Sequence, residues 1–188
     1  MTTQPSSLKT IFVVSGPAGS GKTTVATYLS KELAVPYLEG DDYHTAGNKV
    51  KMGSGIPLTD DDRWDWLIAL RTAATDKLQK FRAIVVTCSS LRRRYRDVFR
   101  VVSYASPSVQ VYFIYLKVDQ EHLKARIAGR VGHYMKENML HSQLECLEEP
   151  ALDELDVVKI DEQEDQAAIC KETLAQVRAI LDATDNTK

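Results

Sequence analysis

The sequence predicts one α/β domain over residues 1–188, in which helices cover both faces of a parallel sheet of about five strands. Two observations carry this prediction. Short apolar runs rich in β-branched residues alternate with longer segments in which apolar residues recur at helical spacing. One of the apolar runs leads directly into a glycine-rich turn and a helix, as in the crossover units that connect parallel strands.

The individual elements follow from these two periodicities. Strands are predicted for residues 10–15, 36–40, 83–88 and 109–116. Helices are predicted for residues 22–34, 63–78, 91–102, 120–130 and 167–181. The segment 131–150 has a helical composition but is more polar, so we place it outside the sheet. The two ends, 1–8 and 184–188, are predicted to be flexible.

The overall charge and the cysteines limit the kinds of partner and compartment. The formal net charge is −2, so neither nucleic acid nor a membrane surface is an expected partner. Cys88, Cys146 and Cys170 are far apart and lack metal-ligand spacing, which favours a reducing compartment. The N-terminal stretch MTTQPSSLK has no apolar run, so a cytoplasmic protein is predicted.

A phosphate-binding pattern lies between the first strand and the first helix. Residues 13–24 read VVSGPAGSGKTT, in which Gly16, Gly21, Lys22 and Thr23 match G-x-x-x-x-G-K-[ST]. Glycines allow backbone N–H groups to turn toward a phosphate chain, and the helix directs its positive end to the same anion. The pattern therefore predicts a nucleoside triphosphate site, with Lys22 on the outer phosphates and the Thr23 hydroxyl on Mg²⁺.

Several classes of protein use such a loop, and the rest of the sequence favours one of them. A guanine-specific GTPase is disfavoured because it should carry the guanine-recognition motif N-K-x-D. The stretch NKVK has lysine in place of the aspartate and lies too near the start of the chain. A motor ATPase is disfavoured because the strand AIVVTCSS ends in small hydroxyl residues instead of an aspartate. These observations favour a small-molecule kinase that uses ATP and Mg²⁺.

Two carboxylates follow the second predicted strand, in the stretch EGDDYH. Asp41 and Asp42 follow Gly40, at the edge of the sheet where ligands bind in open α/β folds. A carboxylate there can accept the proton of an attacking hydroxyl and contact the Mg²⁺ shell. We assign these roles to Asp41, and we expect His44 to hydrogen-bond a substrate hydroxyl.

The order of several stretches resembles the gluconate kinase family of P-loop kinases. These stretches are GPAGSGKTT, EGDDYH, NKVKM, GIPLTDDDRWDWL, CSSLRRRYRD, RIAGRVGHYM and SQLECLEEP, and they extend over about residues 11–150. Thr45 and Asp65 depart from the family pattern, which usually has proline at both places. Both residues lie in predicted turns or helix starts, so the departures concern loop shape more than chemistry.

The resemblance implies a fold and a reaction. The family shares the fold of shikimate and nucleoside monophosphate kinases, and its members use ATP to phosphorylate the 6-hydroxyl of D-gluconate for the pentose phosphate pathway. Two other hypotheses stay open: a kinase for another small hydroxy acid or sugar acid, and a nucleotide-binding regulator without turnover. Homodimers are usual in the family, and a homodimer is left open for this chain.

D-Gluconate is a polyol with one carboxylate, so its site needs one or two cations and several neutral hydrogen-bonding groups. The segments 48–63 and 88–96 offer both, and arginine suits the carboxylate because its planar fork donates two parallel hydrogen bonds. Within the run 92–96, the resemblance favours Arg93 and Arg96 at the cleft. The predicted substrate-binding residues are Asp41, His44, Lys51, Arg63, Ser89, Ser90, Arg93 and Arg96.

Basic residues after the fourth strand complete the predicted site. Arg126 and Arg130 are expected at a helical lid over about residues 126–150, where their charge would neutralise the transferring phosphoryl group. The predicted catalytic residues are Asp41, Lys22 and Arg130, and the predicted Mg²⁺ ligands are Thr23 and Asp41. The predicted nucleotide-binding residues are Gly16, Pro17, Ala18, Gly19, Ser20, Gly21, Lys22, Thr23, Thr24, Arg126 and Arg130.

Overall fold

The structure is a computed structural model that describes residues 8–128, 137–161 and 165–185. Within these residues, five strands form one parallel sheet in the order β2–β3–β1–β4–β5. The strands are β1 (Lys9–Ser15), β2 (Tyr37–Leu38), β3 (Ala83–Thr87), β4 (Val109–Lys117) and β5 (Val157–Asp161). The helices are α1 (Lys22–Leu33), α2 (Ala46–Gly53), α3 (Asp61–Lys77), α4 (Arg93–Ala105), α5 (Gln120–Ala128), α6 (Glu137–Glu145) and α7 (Gln166–Asp185). The predicted α/β fold is confirmed.

The central strand β1 is buried on both faces because successive side chains point to opposite sides of a sheet. Ile11 and Val13 pack into the core beneath α3 and α4. Phe12 and Val14 pack into a second core beneath α1 and α7. All four side chains are fully buried, so an unbroken apolar run is what this position in the sheet requires.

Two elements of the structure were not located in the sequence analysis. Helix α2 overlaps the start of the segment 48–63, for which no helix was predicted, and its first turn is capped by Thr45, whose Oγ1 accepts the Asn48 N–H at 3.1 Å. Strand β5 is an edge strand in which Ile160 alone is fully buried. Helix α7 continues through Thr184 and Asp185, the first two residues of the end predicted to be flexible.

Helix α6 lies apart from the sheet, as predicted for this more polar segment. Its Leu140 is buried against Leu123 and Ile127 of α5, and Ala18 of the loop after β1 packs on the same small core. The base of the predicted lid therefore contacts the phosphate-binding loop directly. Among the described residues, no helix is both long and apolar enough to span a membrane.

Candidate active site

The loop between β1 and α1 adopts the backbone conformation that a phosphate cradle needs. Gly16, Gly19 and Gly21 have φ angles of 136°, 83° and 92°, a region in which other residues are strained. A Cβ at Gly16 would lie only 2.9 Å from the Leu116 carbonyl oxygen. Helix α1 begins directly after the loop at Lys22, so its first N–H groups lack partners within the helix and can bind an anion.

Lys22 is folded back onto this loop. Its Nζ donates hydrogen bonds to the carbonyl oxygens of Gly16, at 3.0 Å, and Pro17, at 2.9 Å. These carbonyls hold the ammonium group over the loop until a phosphate chain offers stronger, charged acceptors. The arrangement fits the predicted role of Lys22 on the outer phosphates.

A cleft of about 390 Å³ opens beside the loop and gathers side chains from the ends of several strands. Ten of the predicted site residues line this cleft: Ala18, Gly19, Gly21, Lys22, Thr23, Thr24, Asp41, His44, Arg63 and Ser89. Other residues at the cleft were not predicted, among them Glu39, Trp66, Thr87 and Gln143. The predicted nucleotide-binding residues Gly16, Pro17 and Ser20 are buried within the loop itself.

Glu39 is a residue to which the sequence analysis assigned no role. Its half-buried carboxylate accepts hydrogen bonds from the hydroxyls of Tyr37 and Thr87, and from the Thr23 Oγ1 at 2.9 Å. Burial alone would raise the pKa of Glu39, but the bonds from Thr87, Tyr37 and Thr23 hold the pKa below its usual value. The group is therefore an ionised carboxylate beside the phosphate loop, and the signal in the sequence was the acidic pair Glu39 and Asp41.

A short 3-10 turn, Gly40–Tyr43, carries Asp41 to the mouth of the cleft. The turn is fixed at Gly40, whose N–H donates to Thr87 Oγ1 at 2.9 Å and whose carbonyl accepts from Trp66 Nε1 at 2.7 Å. A Cβ at Gly40 would lie 2.0 Å from the Thr87 carbonyl oxygen, so no larger residue fits. The side chain of Asp41 is 61% exposed, which leaves it accessible to a bound substrate.

His44 lies on the wall of the same cleft. Its ring stacks on Trp66 with centroids 4.1 Å apart, and its Nε2 lies 3.9 Å from an Asp41 carboxylate oxygen. Burial lowers the pKa of His44 to about 4 although Asp41 opposes this shift, so the imidazole is neutral at pH 7. Its buried Nδ1 has no hydrogen-bond partner among the described residues.

Arg63 supplies a buried positive charge to the cleft. Its side chain is 10% exposed, and its Nη1 donates to the Tyr95 hydroxyl at 2.9 Å. The nearest carboxylate oxygen of Asp60 is 3.6 Å from the same nitrogen. Asp60 also accepts from Arg92, at 3.1 Å, and from Arg94, so it is shared among three guanidinium groups.

The arginine run does not reach the cleft where the sequence analysis placed it. Arg96 is fully buried away from the cleft, and its Nε and Nη2 both donate to Glu154 at 2.7 Å. Arg93 is half exposed and pairs with Asp153 at 2.9 Å. Neither Arg93 nor Arg96 lines the described cleft, because acidic residues about 60 positions later in the chain bind both guanidinium groups. Their substrate-binding roles stay predictions.

Three other predicted residues also lie outside the cleft lining. Lys51 pairs with Asp62 at 2.5 Å, and Ser90 is buried with its carbonyl accepting from Arg96 at 3.1 Å. Arg126 is half-buried on α5 and is not part of the described cleft wall. Arg130 lies outside the described residues.

Comparison with known proteins agrees with this geometry. A family model described as an AAA domain matches residues 11–150. The probable gluconokinase of Schizosaccharomyces pombe is 47% identical over 161 residues, which cover 85% of this chain and 82% of the relative. The chain belongs to the gluconokinase family. The thermosensitive gluconokinase of Escherichia coli is 39% identical over 169 residues. The match covers 90% of this chain and 88% of that relative.

Solved structures support the same conclusion at the level of the fold. A gluconokinase from Sinorhizobium meliloti 1021 superposes on this gluconokinase family member with a TM-score of 0.76 and 36% identity, covering 94% of this chain and 95% of that one. A shikimate kinase from Acinetobacter baumannii shares only the fold, with a TM-score of 0.50 and 17% identity over 94% of both chains. The predicted kinase class and family are confirmed.

Proposed function

We propose that this chain transfers the γ-phosphoryl group of ATP to the 6-hydroxyl of D-gluconate. The observation that carries the proposal is one cleft that joins a phosphate loop, two carboxylates and a buried arginine. The loop residue Lys22 faces the nucleotide phosphates, and Asp41 and Glu39 lie between the loop and the acceptor side. Arg63 lies across the cleft as the cation for a substrate carboxylate.

The acceptor side suits a polyol that carries one negative charge. Arg63 can donate to a carboxylate while Tyr95 holds its Nη1, and a guanidinium is the preferred partner for that group. Neutral His44 and the hydroxyl of Ser89 offer hydrogen bonds to substrate hydroxyls without adding charge. A neutral sugar would offer no carboxylate to Arg63 and would lose that charged hydrogen bond, so it should be a poorer acceptor.

The residues beside the loop fit Mg²⁺. The Thr23 hydroxyl and the ionised Glu39 carboxylate are 2.9 Å apart, and hard oxygen donors of this kind are the ligands that Mg²⁺ prefers. The described residues contain no cluster of three or more acidic, His or Cys side chains for a metal, which suits an ion held jointly by protein and phosphates. Thr23 and Glu39 would hold it with Asp41 nearby, and when bound it neutralises phosphate charge.

In the transfer we propose, each reacting group has a partner among the residues of the cleft. The 6-hydroxyl oxygen attacks the γ-phosphorus, the bond to the bridging oxygen of ADP breaks, and ADP leaves with that electron pair. Asp41 accepts the hydroxyl proton. Lys22, with Arg126 and Arg130 proposed to act from the lid, stabilises the charge that develops on the phosphoryl oxygens.

We propose that the protein acts in the cytoplasm. Cys88, Cys146 and Cys170 are all free thiols, and Cys88 and Cys170 are buried. Unpaired cysteines are typical of reducing compartments, which supports this location.

The experiment that tests the function measures ADP release with a panel of acceptors. D-Gluconate should give the highest kcat/KM, and glucose, shikimate and nucleosides should be much poorer. The variant Arg63→Gln should raise the KM for gluconate at least about tenfold while the KM for ATP stays near that of the wild type. Preference for another sugar acid would favour the alternative kinase, and binding of ATP without turnover on any acceptor would favour a regulator.

A further inference from the structure

Helix α6 contributes a side chain to the phosphate loop that no step above uses. The Ala18 N–H, at the third position of the loop pattern, donates to Oε1 of Gln143 at 2.8 Å. Both residues line the cleft that contains Lys22 and Asp41. This bond joins two parts of the chain that are 125 residues apart.

The chemistry of the bond fixes the orientation of the Gln143 amide. A backbone N–H can only donate, so the side-chain atom that meets it must be the carbonyl oxygen. The amide nitrogen Nε2, with its two N–H groups, is therefore the end that remains for a ligand. Among the described residues, Nε2 of Gln143 makes no recorded hydrogen bond.

The packing around Gln143 keeps its side chain at this place. Leu140, one turn earlier on α6, is 1% exposed and packs on Leu123 and Ile127 of α5. Helix α5 lies so close to the loop that a Cβ at Gly19 would be 3.3 Å from Ile127 Cγ1. The loop, α5 and α6 therefore form one packed unit, and Gln143 projects from this unit into the cleft.

We propose that Gln143 is a catalytic residue whose Nε2 donates a hydrogen bond to an oxygen of the phosphoryl group during transfer. The bond from Ala18 orients the amide, so that its donors face the place where negative charge develops. Gln143 carries no proton in the reaction: the phosphorus–oxygen bond to ADP breaks as the bond to the 6-hydroxyl oxygen forms, and the hydroxyl proton goes to Asp41. The inference rests on the proposed function of the cleft.

Two substitutions test the carbonyl end and the N–H end of the Gln143 amide separately. Gln143→Glu keeps an oxygen that can accept from Ala18 but replaces the donors with an anion. Gln143→Met keeps the approximate shape and removes both hydrogen bonds. Glu145→Gln is the matched control, because Glu145 lies on the exposed side of the same helix and pairs with the exposed His141.

The expected result is a loss of kcat of about tenfold to a hundredfold in Gln143→Met, and a larger loss in Gln143→Glu. The KM values for both substrates and the melting temperature should stay near those of the wild type. Binding of ADP with aluminium fluoride, which imitates the transferring group, should weaken by the same factor as kcat. Binding of ADP alone should not change, and Glu145→Gln should behave as the wild type.

Three outcomes would overturn the proposal. An unchanged kcat in both variants would show that Nε2 does not contact the phosphoryl group. Tighter nucleotide binding with an unchanged kcat would show that Gln143 only blocks the empty loop. Equal weakening of ADP alone and of ADP with aluminium fluoride would show a purely structural role. If the wild type phosphorylates none of the acids, the proposed function fails, and the aluminium fluoride measurement without acceptor still decides the role of Gln143.

Discussion

The buried pair between Arg96 and Glu154 gives a sharp test of whether Arg96 stabilises the fold or binds the substrate. The two side chains are 2% and 1% exposed, and Arg100 donates to the same carboxylate at 2.6 Å. Burial alone would raise the pKa of Glu154, but the bonds from Arg96 and Arg100 hold the pKa at about 2. Substituting Glu154→Gln removes the charge and leaves a buried guanidinium without its counter-ion.

The expected cost follows from the burial of this pair. Removing one partner of a buried ion pair destabilises a protein by about 3–5 kcal/mol. For a chain of this size, that cost lowers the melting temperature by about 6–20 °C. The KM for the acceptor should change little, because the pair lies away from the cleft.

Thermal melting and steady-state kinetics on Glu154→Gln check this prediction. Arg93→Ala is the matched control, because its pair with Asp153 is exposed on both sides and such pairs contribute little stability. A Glu154→Gln protein that melts like the wild type but needs far more gluconate would refute the structural role. In that case Arg96 would belong to the substrate site after all.

Two further predictions concern the acidic turn and its histidine. Because burial lowers the pKa of His44 from 6.5 to about 4, its neutral form contributes stability that is complete above pH 6.5 and lost as the pH falls toward 4. Urea unfolding across this range should show a flatter pH dependence in His44→Gln than in the wild type, and equal slopes would contradict the shift. Asp41→Asn should lose about a hundredfold or more in kcat, the scale of a general base, while Asp42→Asn loses much less. Steady-state kinetics on both variants decides which aspartate is the general base. An inactive Asp42→Asn together with an active Asp41→Asn would assign the base to Asp42.

The parts of the fold that the sequence predicted are those with strong local signals. Strand β1 is buried on both faces, so its apolar run gave a clear signal, and the glycines of the loop matched a phosphate-binding pattern between a strand and a helix. Strand β5 was missed because only Ile160 in it is fully buried, so it lacks the run that marks a central strand. Helix α2 was missed because it is short, contains glycine at two places and has few apolar residues.

The parts of the site that escaped prediction depend on contacts between distant segments. Five arginines occur between residues 92 and 100, and apart from Asp97, which pairs with Arg100, the carboxylates that bind them lie outside the run: Asp60, Asp153, Glu154 and Asp156. No local pattern shows that these carboxylates fold back onto α4. Arg63, by contrast, ends the segment 48–63 that was predicted to face the substrate, and it lines the cleft.

Phosphorus NMR of a mixture of the protein, ATP, Mg²⁺ and D-gluconate tests the central claim most directly. The account predicts that the γ-phosphate signal disappears while signals of ADP and of a phosphomonoester coupled to carbon 6 of gluconate appear in equal amounts. The variant Lys22→Ala, which lacks the charge on the outer phosphates, should form this product slower by orders of magnitude while keeping its fold. Release of inorganic phosphate alone, or equal product formation by Lys22→Ala, would contradict the account.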